Sequence, residues 1–359
     1  MQFGVITYEP TLRRIPVERD TVNRITRYGA DNLYPQRTLK TALLSPISKS
    51  AIRLKASFFR GDGFEQGDKV INQYGDTAND ILRLVSEDLA LYNGYGLHLN
   101  STGIGIVKEV SHIPFEFIRL GLANQNGIIK DVRVSNNWEQ ASDNLPDSAI
   151  NEKRFLLFEE AGNGREALTT SKGMVLYVTP KKNKYPLSTI DAIFETCQSD
   201  YELQNYELGN LVNGFLSMSV FKYPTSGDTE KEEKELRDKL NGLRGARNTN
   251  SVVVVGIDED YEGSGNLVEQ VPANNNDSLF INTTLNVKNR ILQNFNLSAS
   301  LMGMLPAGAL FTAQQIADDY TYQNLVTKDT RNEIERQFDK LGLNVGKIIP
   351  NSFASSTML

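Results

Sequence analysis

Leu297-Ser298-Ala299-Ser300-Leu301-Met302-Gly303-Met304-Leu305-Pro306-Ala307-Gly308-Ala309-Leu310-Phe311 is the most apolar part of a stretch, between Arg290 and Asp318, that holds no charged side chain in a chain that is 23% charged. A membrane-spanning helix needs about 20 consecutive, mainly apolar residues. This run is shorter and is broken by Gly303, Pro306 and Gly308, so it reads as a buried loop between helices. Before it, Leu279, Phe280, Leu285, Val287, Ile291 and Leu292 outline a helix from Asp277 to Phe295. After it, Thr312-Ala313-Gln314-Gln315 is a capping box that opens a helix through Ile316, Tyr320, Leu325, Ile334, Phe338 and Leu341.

Working outward, Leu187 to Val212 carries an apolar stripe at Ile190, Ile193, Phe194, Cys197, Tyr201, Leu208 and Leu211, the pattern of one long helix. Between these helices lies a small charged insert. Phe215–Tyr223 reads as a strand, and Val252–Val255 as a buried strand with which Asn266–Val271 is expected to pair. Asp228 to Arg247 reads as a solvated helix, with Glu230/Lys234, Glu233/Arg237 and Glu235/Lys239 at four-residue spacing.

The first half is α+β. Residues 35 to 59 show helical periodicity that Pro46 divides in two, and Thr77–Tyr92 forms another amphipathic helix. Short β-favouring runs follow at Tyr95–Leu99, Ile106–Val110, Phe115–Leu120, Ile128–Val134, Phe155–Glu159 and Met174–Val178, which predict an antiparallel sheet. Residues 1 to 29 read as a polar, irregular arm with basic residues at Arg13, Arg14, Arg19, Arg24 and Arg27, and residues 343 to 359 as a weakly patterned tail.

Composition narrows the function. With 38 Lys+Arg against 44 Asp+Glu the formal charge is −6, which argues against a basic nucleic-acid coat. Cys197 is the only cysteine, so no intramolecular disulfide or multi-cysteine zinc site exists, and a reducing, intracellular setting is the simplest reading. The start of the chain lacks the pattern of a signal peptide. His98 and His112 are the only histidines, poor material for a Ser-His-Asp triad. Gly162-Asn163-Gly164 and Gly103-Ile104-Gly105 lack the residues that a phosphate-cradling loop or a dinucleotide fingerprint requires. Asp258, Asp260, Glu262 and Glu269 approach the spacing of a hard-cation loop. Their flanks read as strands where such a loop has helices, so the cluster reads better as an acidic hairpin turn. The chain is therefore expected to hold no catalytic residues and to need no cofactor or metal.

The order of these parts, α+β unit, long helix, charged insert, long helix, charge-free loop, helix, resembles that of tailed-phage portal proteins. A local match, Tyr28-Gly29-Ala30-Asp31-Asn32-Leu33-Tyr34-Pro35 followed by Ser45-Pro46-Ile47 and Gly61-Asp62-Gly63-Phe64, resembles portals of phages infecting Bacteroidetes hosts. The resemblance implies an α+β fold with a wing at 30–186 built on an antiparallel sheet, a descending stem helix at 187–212, a small α/β clip at 213–276, a returning stem helix at 277–295, a tunnel loop at 296–311 and a long wing helix at 312–342.

It further implies a closed ring of copies, a dodecamer, at one capsid vertex of a virion, assembled in the host cytoplasm. Duplex DNA would pass through it without sequence specificity and without a membrane. Other implied partners are the terminase large subunit, the major capsid protein and a head–tail adaptor. Ser298, Ser300, Met302, Gly303 and Met304 would line the channel, and Glu230, Lys231, Glu233, Lys234 and Arg237 of the clip would face the motor or adaptor. An acidic ring with an uncharged constriction suits a conduit, because a dense row of cations would hold a sliding duplex in place. The alternatives are a metal-dependent enzyme using the acidic cluster and a membrane-associated assembly protein using the charge-free segment.

Overall fold

The computed structural model describes residues 19–21, 24–102, 106–138, 153–158, 173–180, 185–213, 219–224, 234, 252–257, 268–270, 277–303 and 312–353. The chain divides into two compact units, residues 1–197 with 290–359, and residues 198–289.

The first unit begins with a small ribbon of β1 (Arg19–Asp20) and β2 (Ile25–Thr26). The expected polar arm therefore ends earlier than residue 29, since Ile25 and Tyr28 are buried. Arg27 pairs with Asp20 at 3.1 Å, and Arg19 donates to the Ala123 carbonyl at 2.8 Å. Helices α1 (Tyr34–Leu44) and α2 (Pro46–Arg60) meet at Ser45. Its hydroxyl accepts from Ser48 N at 3.0 Å while Pro46 occupies the first turn, where a missing N–H costs nothing.

Gly61 then ends α2 with a φ of 55°, and a side chain there would sit 2.0 Å from the Ile349 carbonyl. That clearance lets Asp62 N bond Ile349 O at 2.8 Å and lets β3 (Gly63–Phe64) pair with β13 (Ile348–Ile349) near the end of the chain. Helix α3 (Ala78–Tyr92) starts in a full capping box between Thr77 and Asp80 and buries Ile81, Leu82 and Val85.

The sheet that follows comprises β4 (Tyr95–Ser101), β5 (Val107–Ile113), β6 (Ile118–Leu120), β7 (Asp131–Val134), β8 (Lys153–Leu157) and β9 (Met174–Val178). Its order is β5-β4-β9-β8-β7-β6, and its pairs are antiparallel except β8 with β9. Period-2 alternation gives the sheet two cores. Tyr95, Leu97, Leu99, Val110 and Leu176 face α3 and the C-terminal helix, whereas Val175, Val132, Leu120 and Leu157 form a cluster with Ile113 and Ile118.

The second unit is bounded by α4 (Phe194–Asn213) and α5 (Asp277–Asn294), which also run into the first. Helix α4 starts at Phe194 and not at Leu187 as expected. The intervening backbone is committed elsewhere: Thr189 N and the Ser188 hydroxyl both donate to Leu91 O, at 2.9 and 2.7 Å, and Asn93 Nδ2 donates to Leu187 O.

Between the helices, β10 (Ser219–Pro224), β11 (Val252–Ile257) and β12 (Val268–Gln270) form a sheet in the order β11-β10-β12. The expected pairing of β11 with β12 is therefore replaced. Strand β10 lies between them, parallel to β11 and antiparallel to β12. The parallel pair needs a long crossover, which residues 225–251 supply. The acidic segment at 258–267, between β11 and β12 in the chain, lies outside the described residues.

In the first unit the expected single helix over 312–342 is two, α6 (Ala313–Val326) and α7 (Lys328–Lys340). At the break the Thr327 hydroxyl donates back to Gln323 O at 2.7 Å, a bond that competes with helix continuity. Arg331 then occupies the junction, donating to Thr327 Oγ1 at 2.6 Å and to Asn324 O at 2.6 Å. The expected loose tail is also corrected as far as residue 353. Leu343, Val345 and Ile348 are buried in the main core beside Phe338.

Candidate functional site

The charge-free loop starts from a well-made helix end. Asn296 takes a left-handed φ of 52°, and its N–H bonds Gln293 O at 3.1 Å while Leu297 N bonds Leu292 O at 3.0 Å. This pair of bonds is the Schellman motif, which satisfies the last carbonyls of α5. The buried Gln323 amide of α6 donates to the Asn296 carbonyl, tying the loop to the helix that follows it.

Ser298 and Ser300 come together, their hydroxyl oxygens 2.9 Å apart, and the Ser300 hydroxyl donates to the Asp319 carboxylate. A segment without charge in sequence is thus held by a carboxylate from outside it. Asp318, its neighbour, accepts instead from Gln314 at 2.8 Å, as adjacent helix positions pointing about 100° apart require. Met302 is half-buried. Gly303 is exposed with a φ of 65° and with nothing within 4 Å of a side chain built there. Met304 lies outside the described residues.

The Tyr28–Pro35 motif forms a second constellation, organised by a residue that sequence reasoning missed. Arg119 is fully buried, and all its donors are engaged: Nε with Asn32 Oδ1 at 2.7 Å, one terminal nitrogen with the Glu116 and Ile118 carbonyls at 2.9 Å each, the other with Asn32 O at 2.6 Å and Gln36 Oε1 at 3.0 Å. Its guanidinium lies 5.8 Å from the Tyr28 ring and 5.1 Å from that of Trp138. Burial lowers its pKa to about 10, which leaves it cationic at neutral pH.

Asn32 adopts a φ of 61° and its side chain also accepts from Tyr28 N at 3.1 Å. Tyr28 stacks on Tyr185 at 3.9 Å, its hydroxyl donates to Pro186 O at 2.5 Å, and Tyr34 donates to Asp191 at 2.8 Å. The motif therefore fastens the sheet unit to the segment that leads into α4. The only sequence signal was the motif itself. A lone arginine inside the Phe115–Leu120 run reads as an ordinary outward-facing strand residue.

A third polar contact joins α3 to β5, with His112 Nε2 2.7 Å from Asp88 Oδ2. Burial raises the Asp88 pKa to about 6, against the lowering effect of His112. The unfolded value is about 3.9, so the folded state holds this proton more tightly. Its contribution to stability is full below about pH 4 and is lost as pH rises through about 6. In urea unfolding, the stability of Asp88→Asn relative to the unaltered protein is expected to rise between those limits and level off above pH 7.

Of the clip candidates, Lys234 is described, exposed and helical, while Glu230, Lys231, Glu233 and Arg237 lie outside the described residues. Of the acidic candidates, Glu269 lies in β12, and Asp258, Asp260 and Glu262 lie outside as well. Among the described residues no cluster of His, Cys, Asp and Glu could hold a metal ion, and no helix is long and apolar enough to cross a membrane.

No family model matches the sequence, and no curated protein is significantly similar to it. Solved structures are. A chain of the virion of a native gene transfer agent particle is 13% identical, with a TM-score of 0.54 over 90% of this chain and 86% of that one. A chain in the neck of the empty particle, computed with C6 symmetry, is 12% identical, with a TM-score of 0.53 over the same shares. An HK97-family phage portal protein from Corynebacterium diphtheriae is 13% identical with a TM-score of 0.45 over 79% of this chain and 85% of that one, too remote to carry weight. The α+β fold is thus one found in chains of phage-like particles, across nearly the whole length of this protein.

Proposed function

We propose that this chain is a structural portal subunit, one member of a closed ring at a capsid vertex through which duplex DNA is packaged and ejected. The observation that carries the reading is the fold likeness to a chain in the neck of a gene transfer agent particle, which covers 90% of this protein. The succession of sheet unit, stem helices α4 and α5, intervening small sheet and serine-bearing loop supports it. So does α6, which exposes Tyr322, Leu325 and Val326. Apolar surface of this kind is what a neighbouring copy in a ring would cover.

In this reading the segment at 296–311 is the tunnel loop, with Ser298, Ser300, Met302, Gly303 and Met304 beside the passing duplex. The clip at 213–276, including Glu230, Lys231, Glu233, Lys234 and Arg237, meets the terminase large subunit and later the head–tail adaptor, and the wing meets the major capsid protein. Twelve copies, virion localisation after assembly in the host cytoplasm, and a host among the Bacteroidetes belong to the same proposal. The subunit performs no catalysis. ATP hydrolysis belongs to the motor.

Gly303 offers the test. Its left-handed φ of 65° makes any other residue strained by about 1 kcal/mol, least so asparagine. Gly303→Asn should therefore leave DNA filling close to normal, whereas Gly303→Lys, which adds a phosphate-binding cation to the constriction, should reduce it at least about tenfold with rings still formed. Filled and empty heads counted by sedimentation give the readout. Normal filling with Gly303→Lys would remove this loop from the channel.

A further inference from the structure

Between α1 and α2 on one side and α3 and β5 on the other, a groove of about 480 Å³ opens to solvent. Leu39, Ala42 and Leu43 of α1, Ile52 of α2 and Leu91 of α3 supply its apolar wall. Leu43 is 53% exposed. An uncovered leucine at the mouth of an apolar recess is surface that an incoming side chain can bury.

The charges around the groove are not balanced. Glu87 is held by Arg83 at 3.3 Å and Asp88 by His112 at 2.7 Å, while Glu116 lies close to the charges of His112 and Arg119. Lys49 and Arg53, one turn apart on α2, also line the groove, and their side chains make no hydrogen bond or ion pair among the described residues. The imbalance extends along both helices. From Tyr34 to Arg60 the sequence holds six lysines and arginines and no carboxylate, in a chain whose net charge is −6. Of these six, Arg37 pairs with Asp31, and Lys55 is directed to Gln323 Oε1 at 3.4 Å. Lys40 and Arg60 are exposed and, like Lys49 and Arg53, unpaired among the described residues.

The apolar wall and the free cations together select the occupant. Duplex nucleic acid would satisfy the cations through its phosphates, but it carries no aliphatic side chain to fill the recess. An uncharged apolar peptide would fill the recess and leave the cations unmet. We propose that this groove docks a short acidic segment of another protein. An aliphatic side chain of that segment packs against Leu39, Leu43 and Ile52, and carboxylates beside it meet Lys49 and Arg53. Ion pairs at an exposed rim orient a partner more than they tighten it, so the affinity is modest and falls with salt. The proposal stands apart from the portal reading.

Fluorescence anisotropy of the full chain with a fluorescein-labelled hexapeptide, Glu-Glu-Leu-Leu-Glu-Glu-amide, tests it. The expected result is saturable binding with a dissociation constant of about 0.1 mM at low salt. Alanine in place of both leucines should weaken binding about tenfold, and glutamine in place of the glutamates should do so by about the same factor. Lys49→Gln combined with Arg53→Gln alters two exposed side chains, so the fold should persist. That variant should bind the acidic peptide about tenfold more weakly and lose the salt dependence. Leu43→Ser should shrink the preference for the leucine peptide over the alanine peptide. Equal binding of either pair of peptides, unchanged binding in the double variant, or no saturable binding up to about 10 mM would overturn the proposal. So would tighter binding of a DNA duplex of about 20 base pairs that the double variant weakens, since the cations then serve phosphate. Loss of self-association in the double variant would likewise overturn it, by assigning the groove to a second copy of the chain. Whether the unaltered chain forms a ring does not enter the peptide measurements.

Discussion

Replacing Arg119 with methionine is expected to lower the unfolding free energy by about 3–5 kcal/mol, the range for removing one side of a buried, fully bonded charge. Methionine roughly fills the volume but takes the arginine donor from Asn32 O and Gln36 Oε1 and leaves Asn32 Oδ1 with Tyr28 N alone, beside the buried Asn32. The loss also removes the cation between the Tyr28 and Trp138 rings. Arg119→Lys should rescue little. A single ammonium cannot reproduce the fork that meets Asn32 and Gln36 on one side and the Glu116 and Ile118 carbonyls on the other. Equilibrium urea unfolding gives the comparison. A loss below about 1 kcal/mol in both variants would show that the motif's geometry does not depend on this arginine.

Arg331→Ala is expected to cost about 2–4 kcal/mol, with most of the effect local to the α6–α7 junction. The side chain donates to Asn324 O and Phe58 O, so it places a cation at the carboxyl ends of both α6 and α2. It also holds Thr327 Oγ1, the atom around which the long helix divides. Hydrogen exchange should show faster opening of the last turns of α2 and α6, followed by β13, which pairs next to the end of α2. Protection unchanged in those segments would assign the break between α6 and α7 to Thr327 alone.

These two arginines mark the boundary of what could be read from the sequence. Where structure is local, the signals were adequate. Ser45-Pro46 divides α1 from α2, Thr77 and Asp80 cap α3, Thr312 and Gln315 cap α6, and Met174–Val178 forms a strand as its composition requires. Where structure depends on distant partners, they were not. Leu343, Val345 and Ile348 are separated by polar residues and gain their burial only because Gly61 leaves room for the chain to return beside β3. The helix expected from Leu187 starts later because Leu91 and Asn93, nearly a hundred residues earlier, take the hydrogen bonds of 187–189. The central place of β10 was hidden for the same reason, since neither β11 nor β12 records which strand it will join.

The candidate loop shows both sides. Its lack of charge and its place between two helices were legible. Its attachment was not, because Asp319 sits two turns into the next helix and reads there as an ordinary exposed carboxylate, yet it takes the Ser300 hydroxyl. The loop is uncharged along the chain while being anchored by a charge; under the proposed portal reading, that arrangement would keep cations that hold phosphate out of the channel.

Electron microscopy of the purified full-length protein tests the central proposal most directly. Annular particles with an open central hole, of one rotational symmetry, are the expected result. Compact monomers alone, persisting at high protein concentration, would contradict it.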